Sequence, residues 1–298
     1  MTDQLPAARA SGEGAASPPD LEERTSRFLD ANKVFSRTEF TAALGPHEES
    51  EAVDSLLMRQ VKDERIKQAA HEVYVVGDPE PRPGRFVAPE YVLASKLRPD
   101  GILAYHTALE LCGIQHSVII SELQVLSCGP EGIADLPYSL CRFIRPHRAL
   151  IAAGKTDFLT TSKRLIDIPV RITAFERTLV DVLHRADRAC GVDEVIECLN
   201  VAPYILEDFD CSKVADYVEL VGIRSLAGVV GWWLERWQSE LNVSRRTLDR
   251  MRAMLPDTYS YALFARPERS ELVPEWRIYL SPDALDTTFE GLPPDADF

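Results

Sequence analysis

Nowhere in the 298 residues does an apolar run approach the roughly 18 needed to cross a bilayer. That excludes an ordinary membrane-spanning helix. Residues 1–20 carry Asp, Glu, Pro, Ala, Ser and Gly but no apolar centre, so they read as a disordered tail rather than a signal peptide. The six cysteines (Cys112, Cys128, Cys141, Cys190, Cys198 and Cys211) are scattered, and none stand as Cys-x-x-Cys. Such spacing predicts reduced, mostly buried thiols, no structural metal and a cytoplasmic protein. Also missing are a Gly-x-x-x-x-Gly-Lys-Ser/Thr loop, Gly-x-Ser-x-Gly and Gly-x-Gly-x-x-Gly, which removes the common nucleotide and hydrolase sites. No His-x-x-x-His pair occurs, and neither does the Glu-x-Lys that some nucleases use to hold a divalent ion. No catalytic residue, cofactor or metal is therefore expected.

What is present is a soluble composition, 45% hydrophobic and 27% charged, with a formal net charge of -14. The charge is uneven. Residues 1–80 hold 9 basic against 16 acidic side chains, and residues 189–298 hold 10 against 20. Acidic surfaces repel phosphate backbones and attract basic partners. Within the larger domain, residues 142–188 reverse the sign, with 10 basic against 5 acidic. An anion- or partner-binding surface on the larger domain is expected there, centred on Arg142, Arg145 and Arg148.

The periodicity predicts helices over residues 21–31, 37–44 and 48–61, with Ser36 capping the second. The third places Val53, Leu56, Leu57 and Val61 at core spacing. Two β-rich pieces follow, 65–68 and 72–76. Three helices and a hairpin, in that order, predict a winged helix-turn-helix over 21–78. Residues 79–89 are rich in proline and read as a linker across which few contacts should pass. A larger domain over 90–285 and an acidic tail over 286–298 complete the chain. In the larger domain, 91–97 and 100–112 read as helices and 118–127, 138–144 and 167–172 as strands. Residues 173–186 read as a helix opened by a Thr173–Glu176 capping box, with Arg177–Asp181 as a surface ion pair. Helices are further expected over 192–199, 212–221, 225–241 and 244–255, and a strand over 276–280. The fold class is α+β, with a winged helix-turn-helix followed by a larger mixed-sheet and helical domain.

Four segments, in order, carry a family resemblance. "AVDSLLMRQVKDERI" leads into the wing "HEVYVV"; after the linker come "YVLASKLRPDGILAYHTALELCGI", "ITAFERTLVDVL" and "SLAGVVGWWLE". Together they resemble the AbiEi family of type IV antitoxins along most of residues 34–280. The resemblance implies a non-enzymatic antitoxin. Its winged helix represses its own promoter, and its C-terminal domain counters a nucleotidyltransferase-type toxin. Phosphate contacts to promoter DNA then fall to Arg37, Arg59, Lys62, Arg65 and Lys67. The presumed recognition helix nevertheless opens on Glu48, Glu49, Glu51 and Asp54, and carboxylates beside phosphates predict weak or strongly salt-sensitive binding.

Trp232, Trp233 and Trp237 cover more than one side of their helix. They read first as core, with partner-binding anchors as the alternative. The competing function is a stand-alone winged-helix transcriptional regulator with no toxin; an enzyme of another kind is the third option.

Overall fold

The computed structural model describes residues 21–45, 50–77, 89–114, 121–206 and 208–285. The expected tails (1–20 and 286–298), nearly all of the expected linker and the opening of the third helix lie outside them.

The N-terminal unit runs α1 (Leu21–Ala31), β1 (Val34–Ser36), α2 (Arg37–Leu44), α3 (Ser50–Lys62), β2 (Ile66–Ala70) and β3 (Val73–Val76). Ser36 caps α2 as expected, accepting from the Glu39 N–H, while the Glu39 carboxylate accepts from the Ser36 N–H in return. The strands form an antiparallel sheet in the order β1-β3-β2. Leu29, Phe35, Phe40, Leu44, Val53, Leu57 and Ile66 are its buried centre. Val61 departs from the expected stripe: Gln60 is buried in its place and Val61 is 41% exposed.

The larger part opens with α4 (Glu90–Lys96), β4 (Ile102–Leu103), α5 (Tyr105–Cys112), β5 (Glu122–Leu126), β6 (Gly132–Asp135), β7 (Leu140–Ile144), α6 (Arg148–Ala152), β8 (Thr160–Leu165), β9 (Ile168–Thr173) and α7 (Phe175–His184). Its six-stranded mixed sheet has the order β6-β7-β5-β4-β9-β8. β4 pairs antiparallel with β5 and parallel with β9, so it lies at the centre of the sheet. Four helices follow: α8 (Val192–Ile205), α9 (Cys211–Val221), α10 (Arg224–Arg236) and α11 (Arg245–Ala253). A small sheet of β10 (Ser260–Tyr261), β11 (Glu271–Val273) and β12 (Ile278–Leu280) precedes α12 (Pro282–Leu285). This is an α+β architecture: an N-terminal helix and strand region, then a larger mixed-sheet and helical domain. Among the described residues no helix is long and apolar enough to cross a membrane.

Several expectations need correcting. Residues 100–112 are not one helix. Ile102 and Leu103 are both buried between neighbouring strands, and a two-residue apolar step carries no periodicity to separate strand from helix. The Thr173–Glu176 capping box does not form. Thr173 ends β9 with its hydroxyl 2.7 Å from that of Thr178, α7 begins one residue past Ala174, and Glu176 accepts from the Asp210 N–H instead. The helix expected over 225–241 ends at Arg236.

The boundary between the two parts is not an open one. Val34, Val73 and Val75 from the N-terminal sheet join one buried cluster with Val92, Leu93, Leu103, Val125 and Ile172 of the larger domain. Chain punctuation at the prolines marks where the backbone crosses, but the apolar face of a three-stranded sheet has to be covered, and the larger domain covers it.

Candidate functional site

The five cations expected to meet DNA fall into two groups. Arg37 is turned inward along the protein, its Nε 2.8 Å from Asp54 and its Nη2 donating to Ser50 Oγ at 2.7 Å. Arg59 pairs with Glu22 at 2.9 Å. Acidic residues of the same unit thus neutralise both. Lys62, Arg65 and Lys67 are exposed, and none forms an ion pair among the described residues, though Arg65 reaches Ser26 Oγ at 3.4 Å. These three lie at the C-terminal end of α3, the following turn and β2. The rest of the outer face of α3 carries Glu51, Ser55 and Met58, the last 73% exposed.

In the segment 142–188 the expected basic surface is partly spent. Arg142 forms a two-pronged pair with Glu122 at 2.6 and 2.7 Å. Arg145 and Arg148 are exposed and form no ion pair among the described residues. Arg177 is fully buried, which corrects the surface ion pair expected with Asp181. Its Nη1 donates to the carbonyls of Thr156 and Phe158, and Tyr217 donates to the other oxygen of Asp181 at 2.7 Å. Burial pushes the Asp181 carboxyl and the Tyr217 hydroxyl up; burial also disfavours the Arg177 cation, but Asp181, Tyr217 and Tyr105 together outweigh it and hold its pKa above the ordinary value. The Nη1 bonds of Arg177 hold α7 to the chain before β8, and the Tyr217–Asp181 bond holds it to α9.

The tryptophans divide the same way. Trp233 is buried, with its Nε1 donating to the Leu199 carbonyl, and Trp237 is buried beside it. Neither can anchor a partner without unfolding α10. Trp232 alone is half-buried and retains an accessible edge.

A second buried polar centre had no sequence signal beyond a lone histidine on a helix. His106 lies between two carboxylates, Glu194 at 3.1 Å and Glu110 at 3.3 Å. Burial disfavours its charged form, but the hydrogen bonds and charge of Glu110 and Glu194 outweigh it, so its pKa is raised above the ordinary 6.5. The charged imidazole therefore stabilises the fold fully below the unfolded pKa, and that stabilisation is lost as pH rises through the raised folded value. A His106→Gln variant should be clearly less stable than the parent at pH 6. The gap should narrow steadily as pH rises above 7, as read from urea midpoints; a gap that widens with pH would reject the charged-imidazole account.

Among the described residues no cluster of His, Cys, Asp and Glu is arranged to hold a metal ion. None of the six cysteines forms a disulfide; three are buried, Cys112 is half-buried, and Cys128 and Cys190 are exposed. Burial pushes Cys141 up to about 12 and Cys190 and Cys211 up to about 11, which keeps these sulfurs protonated and poorly nucleophilic.

No family model matches the sequence, and no curated protein matches it. In three dimensions the chain is similar to the RV2827C protein of Mycobacterium tuberculosis, known from a crystal structure. The TM-score is 0.51 at 14% identity, over 88% of this chain and 92% of that one. At that identity the likeness concerns the fold alone.

Proposed function

We infer that this chain is the antitoxin of a two-gene module, a non-enzymatic protein that counteracts a nucleotidyltransferase-type toxin in the cytoplasm. Its N-terminal unit acts as a winged helix in repressing the shared promoter. The observation that carries the reading is the order of parts: three helices and a hairpin, then a larger mixed sheet with α7 and α10 behind it. That is the order in which the sequence segments resemble AbiEi antitoxins. The surfaces fit the assignment. Lys62, Arg65 and Lys67 are exposed cations suited to a few phosphates, while the exposed Asp63 and Glu64 between them and Glu51 on α3 limit how closely DNA can approach. On the larger domain Arg145, Arg148 and the edge of Trp232 are what the basic segment and the tryptophans leave for a protein partner.

The alternative, a stand-alone transcriptional regulator, draws on those same cations. Co-expression separates the two. The full chain and the nucleotidyltransferase encoded beside it are each placed under an unrelated inducible promoter, so repression of the native promoter cannot protect the cell. The antitoxin reading expects growth to be restored when both are induced. Continued toxicity at comparable protein levels, or the lack of any neighbouring nucleotidyltransferase gene, would leave the regulator.

A further inference from the structure

Between the N-terminal unit and the six-stranded sheet lies an open cavity of about 360 Å³. That is within the size range of small-molecule sites, which run from about 300 to 1,000 Å³. Three cations line it: Lys96 and Arg98 around the end of α4, and Arg171 on β9. A single carboxylate, Glu39, faces them, and both of its oxygens are engaged. One meets the Lys96 ammonium at 2.5 Å across the boundary between the two units; the other accepts from the Ser36 N–H at 2.9 Å.

Each cation is held differently. Arg98 lies flat over the Phe143 ring at 3.6 Å, with its guanidinium donating to the Pro130 carbonyl and to Ser127. That fixes its charge beside the cavity without neutralising it. Arg171 stands opposite Ser162 in the β8–β9 ladder, exposed, and forms no ion pair among the described residues. A chain with a net charge of -14 has acidic side chains in plenty to cancel such a group, yet Arg171 stays unneutralised at the cavity, beside the Lys96–Glu39 pair, while the Arg98 guanidinium is turned to residues that do not line it. Like charges gathered in a cleft repel one another and raise the local concentration of anions.

The neutral lining divides into two kinds. Thr38 and Ser162 present hydroxyls, which can donate to anionic oxygens, and Pro99, Pro169 and Val170 present apolar surface. Cations with hydroxyls suit a phosphate; flat proline and valine surfaces suit a ring or sugar. We propose that this cavity binds a small organophosphate of mononucleotide size, its phosphate held by Lys96 and Arg171. Because the walls come from both units, the bound ligand fastens the N-terminal unit to the larger domain, with phosphate competing with Glu39 for Lys96.

The test is calorimetric titration of the full chain at low salt with three probes: inorganic phosphate, adenosine monophosphate and a short duplex DNA. One molecule of adenosine monophosphate should bind per chain, with inorganic phosphate binding more weakly and displacing it. Arg171 is exposed, so Arg171→Glu should leave the thermal midpoint of the free protein unchanged and weaken binding by at least about tenfold. Arg65→Glu, on the other face of the N-terminal unit, should leave binding intact. The proposal is overturned if neither small probe binds at millimolar concentration, or if Arg171→Glu binds as well as the parent. It is also overturned if only the duplex binds and adenosine monophosphate fails to displace it, since the cleft would then serve a DNA backbone. Growth rescue in the co-expression assay reads a separate property, so either result can fail alone.

Discussion

Replacing Arg177 with alanine should lower the unfolding free energy by about 3–5 kcal/mol, the usual cost of removing one partner from a buried ion pair. The guanidinium has no contact with solvent. Its Nη1 satisfies the carbonyls of Thr156 and Phe158 at 2.8 and 2.9 Å, its Nε stands 3.4 Å from Asp181, and its face lies 5.6 Å from the centre of the Tyr217 ring. Alanine would orphan two carbonyls and leave Asp181 with only the Tyr217 hydroxyl, in surroundings that already push its carboxyl up. Total stabilities are typically about 5–15 kcal/mol, so the loss should take a large part of the whole. A urea titration followed by circular dichroism would measure it. The double variant Arg177→Met with Asp181→Leu should recover only the part of the loss due to the unpaired Asp181 charge, because the Thr156 and Phe158 carbonyls and the Tyr217 hydroxyl stay without these partners. Tyr217→Phe should cost less, about 1–2 kcal/mol, since it removes one hydrogen bond. A loss below about 1 kcal/mol for Arg177→Ala would show that water or a neighbouring side chain replaces the cation.

That pair also shows where sequence reading reaches its limit. The i,i+4 spacing of Arg177 and Asp181 is visible in the sequence, but the spacing is the same for a surface pair and a buried one. Burial follows from α9 and the chain before β8 closing over α7, which is a property of the fold and not of the segment. The elements with strong local signals were legible. α1 has the expected bounds, α2 begins at the expected cap, β7 lies inside the expected apolar run, and β9 follows its expected run but continues one residue beyond it to Thr173. Those without such signals were missed. β8 reads Thr-Thr-Ser-Lys-Arg-Leu and is solvated along most of its length because it is the sheet's edge, so no alternation marks it. β6 is the opposite edge and fails for the same reason.

The site residues follow a similar logic. Counting charges over residues 142–188 located a basic stretch, but it could not tell that Glu122, from a neighbouring strand, would neutralise Arg142, or that Arg177 would face inward. The interdomain cavity draws Lys96 and Arg98 from the end of α4 and Arg171 from β9, which pack together within the larger domain, and the docking of the N-terminal unit adds Ser36, Thr38 and Glu39. No window of sequence contains that adjacency. Trp232, Trp233 and Trp237 were open between core and interface because the adjacent Trp232 and Trp233 on a helix must point different ways. The α8 carbonyl that accepts from Trp233 decides its side.

Substituting alanine for Gly231 should destabilise the protein by about 3 kcal/mol, the upper end of ordinary overpacking. The expectation runs against helix propensity, since glycine to alanine inside an exposed helix gains about 1 kcal/mol. Here α10 passes directly beneath the indole of Trp276. A Cβ on Gly231 would lie 2.0 Å from one ring carbon of Trp276 and 2.5 Å from two others. One turn earlier, a Cβ on Gly228 would meet the Trp276 carbonyl oxygen at 2.6 Å and a methyl carbon of Ile278 at 2.8 Å. The two glycines make a flat strip on which the turn Pro274–Trp276 and β12 rest. The indole has little room to retreat: its Nε1 donates to Glu235 at 2.6 Å, and the Arg252 guanidinium covers it at 5.0 Å. Trp276 is itself 1% exposed, so lifting it off α10 gives up the burial of a large aromatic surface. Thermal unfolding of Gly231→Ala should shift down by several degrees, and a smaller downward shift is expected for Gly228→Ala. Placing Trp276→Leu behind Gly231→Ala supplies the control: the double variant should be less destabilised than the sum of the two single ones, because each relieves the strain the other creates. An unchanged or raised midpoint for Gly231→Ala would mean that the indole does not lie against this face of α10.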